Sequence, residues 1–473
     1  MAAISKPFGR QIIRSRAEIG VPVLLLAMFG TVLPAAAHTT SNAFVLLLPT
    51  GYYQFGGTLA VALSVIFIFL VPPRMLAEGF RRRVSLGAIP VPSSLWTSAV
   101  AATGLSFLIL AGFLGSPDPR ANPLPIAIWS LLWVGFTFLQ ALFGDLWHFC
   151  NPWHAPYRLL RRLMGTRDGW LTYPAWLGYW PAVLSFFAIA WFELVDLAPD
   201  DPTRLAYAVL VYWAITLIGM LLFGEAAWLA RGEALTVFFR FMAALSPFAT
   251  TEIAGTKRRL VSLGWPGERL LRLEPLPFDG ICFVLLTLGT VSFDGLSKTF
   301  WWLALGGINP LEFPGRSAVV TLNTFGLLML WLLLVVCYVL CCGKEQAKAG
   351  RQALSIIPIA LAYHFAHYLT VLLVDGQYAL KIASDPLGLG WDLFGTAGLY
   401  VTTSFLTTYH SVVTLWNLQA GAIVAGHVMA VVLAQVMHNA GDDVRRWRHL
   451  PLALLMILYT LFGLWLMSTP SAG

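Results

Sequence analysis

Apolar runs of roughly membrane-spanning length recur along almost the whole chain, separated by shorter gaps that hold most of the polar residues. A helix rises about 1.5 Å per residue, so about 20 apolar residues cross a hydrocarbon core of roughly 30 Å. The pattern predicts ten spans, near residues 55–73, 94–115, 124–145, 175–193, 204–224, 278–294, 317–342, 352–374, 417–438 and 450–468. The expected fold is therefore all-α, a polytopic transmembrane helix bundle. With 58% of residues hydrophobic and 11% charged, the chain cannot present a soluble surface, and the lipid bilayer is its first partner.

The gaps alternate in charge. Those containing Arg74 to Arg83, Arg158 to Arg167, Arg231 to Arg272, Lys344 to Arg351 and Arg445 to Arg448 are basic. The opposite gaps carry only Arg120, Arg204, Lys298, Arg316 and Lys381, and one of them is the acidic stretch Glu193 to Asp201. By the positive-inside rule, the mature N-terminus and the C-terminus both lie outside the cytoplasm. A net charge of +7 would suggest nucleic acid in a soluble chain. Here the cytoplasmic loops account for it, and no nucleic-acid partner is expected.

The N-terminus places Lys6, Arg10, Arg14 and Arg16 before a short apolar run, about Val21 to Val32, and then Ala35, Ala36 and Ala37. That order reads as a signal peptide over 1–37, leaving one integral-membrane domain over 38–473 that begins at His38. Two gaps exceed what a turn requires. The basic one, about 225–277, contains the semi-apolar piece "ALTVFFRFMAALSPF", which suits a segment lying on or dipping into the membrane. The other, about 375–416, is long enough to fold over the outer end of the bundle. Cys150, Cys282, Cys337, Cys341 and Cys342 lie in or near spans or on the inner side, where buried apolar cysteine is the expectation and no disulfide pair is evident.

Ionisable residues inside spans are costly and so mark candidate sites. His364 and His367 stand at i, i+3 past the middle of the eighth span, His427 lies in the outer half of the ninth, and Asp294 closes the sixth. Three imidazoles and a carboxylate suit a divalent transition metal, zinc, manganese, cobalt or iron, with Asp294 as a further ligand or the catalytic base. The competing reading leaves each histidine bound to local partners between helices. A second polar group, Asp145, His148 and His154, lies on the inner side, with His438 able to approach it, although Trp147, Trp153 and Arg158 suit an interfacial anchor there. His38, as an N-terminal residue, would offer an amine and an imidazole that favour copper.

The "AAAH" start, the inner "NPW", "VSFDGLS", "AHY", "GWDLFGT", and "GAIVAGHV" with "AQVMHN" follow one another in an order that resembles the multi-span bacterial fenitrothion hydrolases. Asn439 of "VMHN" departs from the acidic residue expected there. The resemblance implies hydrolysis of organophosphorus triesters such as fenitrothion to an aryl alcohol and a dialkyl thiophosphate. It also implies a bacterial inner-membrane location and leaves room for a second, similar membrane subunit as partner. Such a substrate is an apolar small molecule that partitions into lipid, and a metal would lower the pKa of a bound water that attacks phosphorus. Two alternatives stay open: transition-metal binding or transport, and a non-catalytic subunit of a membrane complex.

The charge alternation makes a direct prediction about orientation. Topology reporters fused after Gly115 and Gly165 should report outside and inside, respectively, and the opposite pair of signals would invert every depth assigned above.

Overall fold

The computed structural model describes residues 50–91, 93–165, 169–256, 258–312, 315–343, 345–437 and 450–469. The expected signal peptide, His38 and His438 lie outside them. Among the described residues, ten helices are long and apolar enough to cross a membrane. Their main helices are α1 (Thr50–Leu70), α2 (Ser94–Leu114), α3 (Pro123–Phe143), α4 (Trp180–Leu194, within the span Ala175–Leu194), α5 (Pro202–Phe223), α6 (Phe278–Ser297), α7 (Val320–Cys342), α8 (Ile357–Ser384, within the span Gln346–Ser384), α9 (Tyr409–Met437) and α10 (Leu450–Ser468). The protein is thus the multi-pass helical membrane protein that its hydropathy predicts.

Local signals set several helix starts. Asn122 accepts a hydrogen bond from the Leu124 N–H (3.0 Å) at the head of α3, and Asp201 accepts from the Arg204 N–H (2.8 Å) ahead of Pro202 in α5. Both satisfy amides that a first helical turn leaves unpaired. Two helices run further than the apolar runs. Continuing α8 to Ser384 and starting α9 at Tyr409 reduces the expected 375–416 loop to 385–408. The polar residues after Val374 do not end the helix, because Ile382 and Ser384 still pack inward and Gln377 donates to the Leu373 carbonyl (2.9 Å).

α6 is the axis of the bundle. Its most apolar window is 94% buried, against 17% for α1 and 33% for α7. α4, α7, α8 and α10 pack around it. The semi-apolar piece folds as a helix, Ala234–Ala243, whose Val237, Phe238, Phe239, Phe241 and Met242 are buried, so it enters the bundle rather than lying on its surface. Glu233 caps it, accepting from the Leu235 N–H (2.9 Å), the Thr236 N–H (2.5 Å) and the Tyr212 hydroxyl. Two features have no precursor in the periodicity. Residues Ile126–Phe136 of α3 are π-helical, and β1 (Val84–Pro90), β2 (Phe248–Glu252) and β3 (Arg258–Leu263) form an antiparallel sheet in the order β1-β3-β2 at the end of the bundle that carries the Arg-rich gaps.

At the opposite, acidic end, Arg316 donates to the carbonyls of Glu193 (3.0 Å) and Asp196 (3.1 Å), satisfying acceptors left where α4 stops. Arg204 holds both carboxylate oxygens of Asp196, at 2.9 and 2.7 Å. Burial pushes Asp196 upward, but the Arg204 hydrogen bonds and charge prevail and hold it below the ordinary carboxylate value. Its contribution to stability is therefore complete above the unfolded-state value of about 3.9 and is lost as pH falls through the lower folded value. Because Arg204 is 48% exposed, Asp196→Asn should cost only about 1 kcal/mol near neutral pH. Denaturation of parent and variant in detergent should show this difference shrinking to nothing in strong acid.

Candidate functional site

Asp294 lies one turn from the end of the enclosed helix and is 3% exposed. Its Oδ1 accepts from Lys298 Nζ at 2.7 Å, one turn further along the chain, and its Oδ2 accepts from His367 Nε2 of α8 at 2.7 Å. Burial opposes the Lys298 charge, yet the contact with Asp294 outweighs it and raises the ammonium above its ordinary value. His367 retains 27% side-chain exposure, whereas Asp294 has almost none. The other ring nitrogen, Nδ1, faces Gly295, where an added methyl would sit 4.0 Å away.

The next residue on α8, Tyr368, donates to Glu193 Oε1 at 3.1 Å and packs edge-on against the rings of His367 and His364, with centroids 4.8 Å apart in each case. Glu193 comes from the last turn of α4, and its Oε2 has no protein partner. The cluster thus joins α4, α6 and α8 at the acidic end of the bundle. It comprises two carboxylates, an ammonium, an imidazole and a phenol.

His364 and His427 are held elsewhere. His364 Nε2 donates to the Trp133 carbonyl of α3 at 2.9 Å. His427 Nδ1 donates to the Ile423 carbonyl one turn earlier on α9 at 2.8 Å, and its buried Nε2 has no partner. The cause is azimuth. Tyr363 is the α8 residue that meets His427, and successive helical residues point about 100° apart, so His364 and His427 address different sides of α8. Among the described residues, no three His, Cys, Asp or Glu side chains are grouped to hold one metal ion. Of the four residues expected to share a shell, the structure joins only Asp294 and His367.

At the basic end, Asp145 Oδ1 accepts from the backbone N–H of His148 (3.2 Å), and the rings of His148 and His154 are 6.0 Å apart. His154 Nδ1 is paired with Glu225, a partner the sequence reading did not include. Interfacial anchoring by Trp147 and Trp153 is corrected here. They are 5% and 2% exposed, and their indole N–H groups donate to Thr236 (2.9 Å) and to the Trp213 carbonyl (2.9 Å) inside the bundle. The buried helix Ala234–Ala243 supplies Thr236, which draws Trp147 inward.

Sequence reasoning also passed over Lys298, Tyr368 and Glu193. The first two carried a usable signal, an i+4 cation beside Asp294 and a phenol next to His367, whereas Glu193 read as part of an acidic connection. Comparisons of the chain with protein-family models, curated proteins and solved structures find no match in any of the three.

Proposed function

We propose that the protein is a membrane-embedded hydrolase in which the Asp294–His367 pair activates water against a lipid-soluble organophosphorus triester. The observation that carries this reading is the pair itself. A buried carboxylate orients one ring nitrogen, while the imidazole stays partly open with its second nitrogen uncommitted to a protein partner, as a general base requires. The narrower substrate class rests on the resemblance to fenitrothion hydrolases. Two segments that carry it, "VSFDGLS" with Asp294 and "AHY" with His367, meet at this pair.

In the proposed step, a water oxygen forms a bond to phosphorus as the phosphorus–aryl oxygen bond breaks. His367 Nδ1 takes the proton from water and returns it to the departing aryl oxide, giving an aryl alcohol and a dialkyl phosphate or thiophosphate. Asp294 keeps the ring in place and stabilises the transient imidazolium. Lys298, with half its side chain exposed, adds positive charge beside the developing anion. The step needs no metal: His364 and His427 each place one ring nitrogen on a backbone carbonyl and neither joins the Asp294–His367 pair.

His367→Ala and Asp294→Asn should each lower kcat/KM on a chromogenic phosphotriester by about 10²- to 10⁴-fold in folded, detergent-purified protein. His427→Phe should stay within a few-fold of the parent. A folded His367→Ala protein that hydrolyses at the parental rate would overturn the assignment. Dialysis against a chelator separates this step from the metal-assisted one expected from the sequence. Turnover that survives belongs to the Asp294–His367 pair, whereas turnover lost and then restored by added zinc or manganese belongs to a bound ion. Metal uptake into proteoliposomes without any turnover would instead identify a transporter.

A further inference from the structure

A cavity of about 710 Å³ lies among α2, α3, α4 and α5, within the roughly 300–1,000 Å³ of small-molecule sites. Along α5 its lining runs from Leu205 to Ile215, a length of about 15 Å and so half of a hydrocarbon core of roughly 30 Å. Apart from the buried indole N–H of Trp133, which has no protein partner, the wall offers almost no hydrogen bonding. The indole N–H groups of Trp129, Trp147, Trp153 and Trp191 already donate to Pro199, Thr236, Trp213 and Thr324, at 3.1, 2.9, 2.9 and 3.0 Å. The hydroxyls of Ser185 and Tyr212 are likewise spent, on the Pro181 carbonyl and on Glu233. A ligand with a polar group to satisfy would lose hydrogen bonds there, whereas a hydrocarbon chain loses none.

We propose that this cavity holds one acyl chain of a bilayer lipid. Its length matches one leaflet, its walls are apolar and aromatic, and it lies between helices that the bilayer itself surrounds. Trp133 connects it to the polar cluster. The residue lines the cavity, its carbonyl accepts from His364, and the His364 ring stands edge-on to it at 5.2 Å and 82°. An occupied cavity therefore braces the wall against which His364 and, behind it, Tyr368 are packed. This site is independent of the hydrolysis proposed above and persists whether or not that reading holds.

The test uses the full chain in nanodiscs containing a phospholipid with a photoactivatable diazirine in its palmitoyl chain. Cross-links should concentrate on the peptides covering 101–108 and 205–215. They should exceed labelling of the exposed Ile66 and Phe67 face of α1 by about tenfold, the excess given by a site preferred over bulk lipid by ~1.4 kcal/mol. Ala208→Trp, which fills the cavity, should bring them down to that background. If this large change prevents folding, Ala208→Leu is read in the same way. Equal labelling of cavity and exposed face, or labelling unchanged in a folded filled variant, overturns the proposal. Displacement of the label by a neutral aryl phosphotriester, at a lower mole fraction than lipid, would assign the cavity to that ligand and overturn it as well.

Discussion

The architecture depends on a helix that has no side facing lipid or water. α6 is enclosed along nearly its whole length, yet it carries an acid near each end, Asp279 and Asp294. The two are not equivalent. Asp279 stands in the first turn, where the partial positive charge of the helix terminus favours a carboxylate, and it accepts from the Tyr179 and Gly280 amides. Gly178 permits that contact, since a Cβ there would overlap the Asp279 carboxylate. Asp294 stands near the other terminus, where exposed carbonyls oppose a negative charge, so its two cationic or donating partners offset both burial and the helix dipole. Because Lys298 is half exposed and His367 partly so, removing either partner costs less than the roughly 3–5 kcal/mol of a fully buried pair. Stability and proposed chemistry therefore draw on the same contacts.

Close packing around α6 then decides which histidines meet. Gly426 of α9 lies against Ala362 and the Pro358 carbonyl of α8, and Gly463 of α10 leaves room for the Tyr363 ring, whose hydroxyl donates to the Tyr459 carbonyl (2.5 Å). Larger side chains at either glycine would collide with these neighbours. Tyr363 is thereby fixed toward α9 and α10, which turns His364 toward α3 and His367 toward α6. His427 is left on the Tyr363 side, with only its own helix to accept its proton.

This geometry explains why the spans were legible in the sequence and the site only partly so. Span number and position follow from hydropathy, which a bilayer enforces residue by residue. Depth along each helix follows from the same count, and it placed His364, His367, His427 and Asp294 within reach of a common level. Azimuth does not follow from it, because lipid-facing and helix-facing positions are equally apolar and leave little amphipathic signal. The sheet escaped notice for a different reason: β1 pairs with β3 across a sequence separation spanned by four membrane helices. Trp147 and Trp153 read as interfacial because their flanks are basic, but Trp147 is received by the buried helix Ala234–Ala243 and Trp153 by α5, neither of which the sequence placed beside them.

The π-helical stretch of α3 ties these levels together. In such a stretch the backbone hydrogen bonds are longer-range than in an α-helix, and these irregularities recur at functional sites. Here the Trp133 carbonyl accepts from both Thr137 Oγ1 (2.6 Å) and His364 (2.9 Å), so it serves its own helix and a neighbouring one at once. That second acceptance satisfies the proton of a buried imidazole on α8. His364 is thereby held beside Tyr368, whose hydroxyl reaches Glu193. The same residue presents its ring to the apolar cavity. A single turn of α3 thus forms the boundary between the apolar cavity and the polar cluster of α4, α6 and α8.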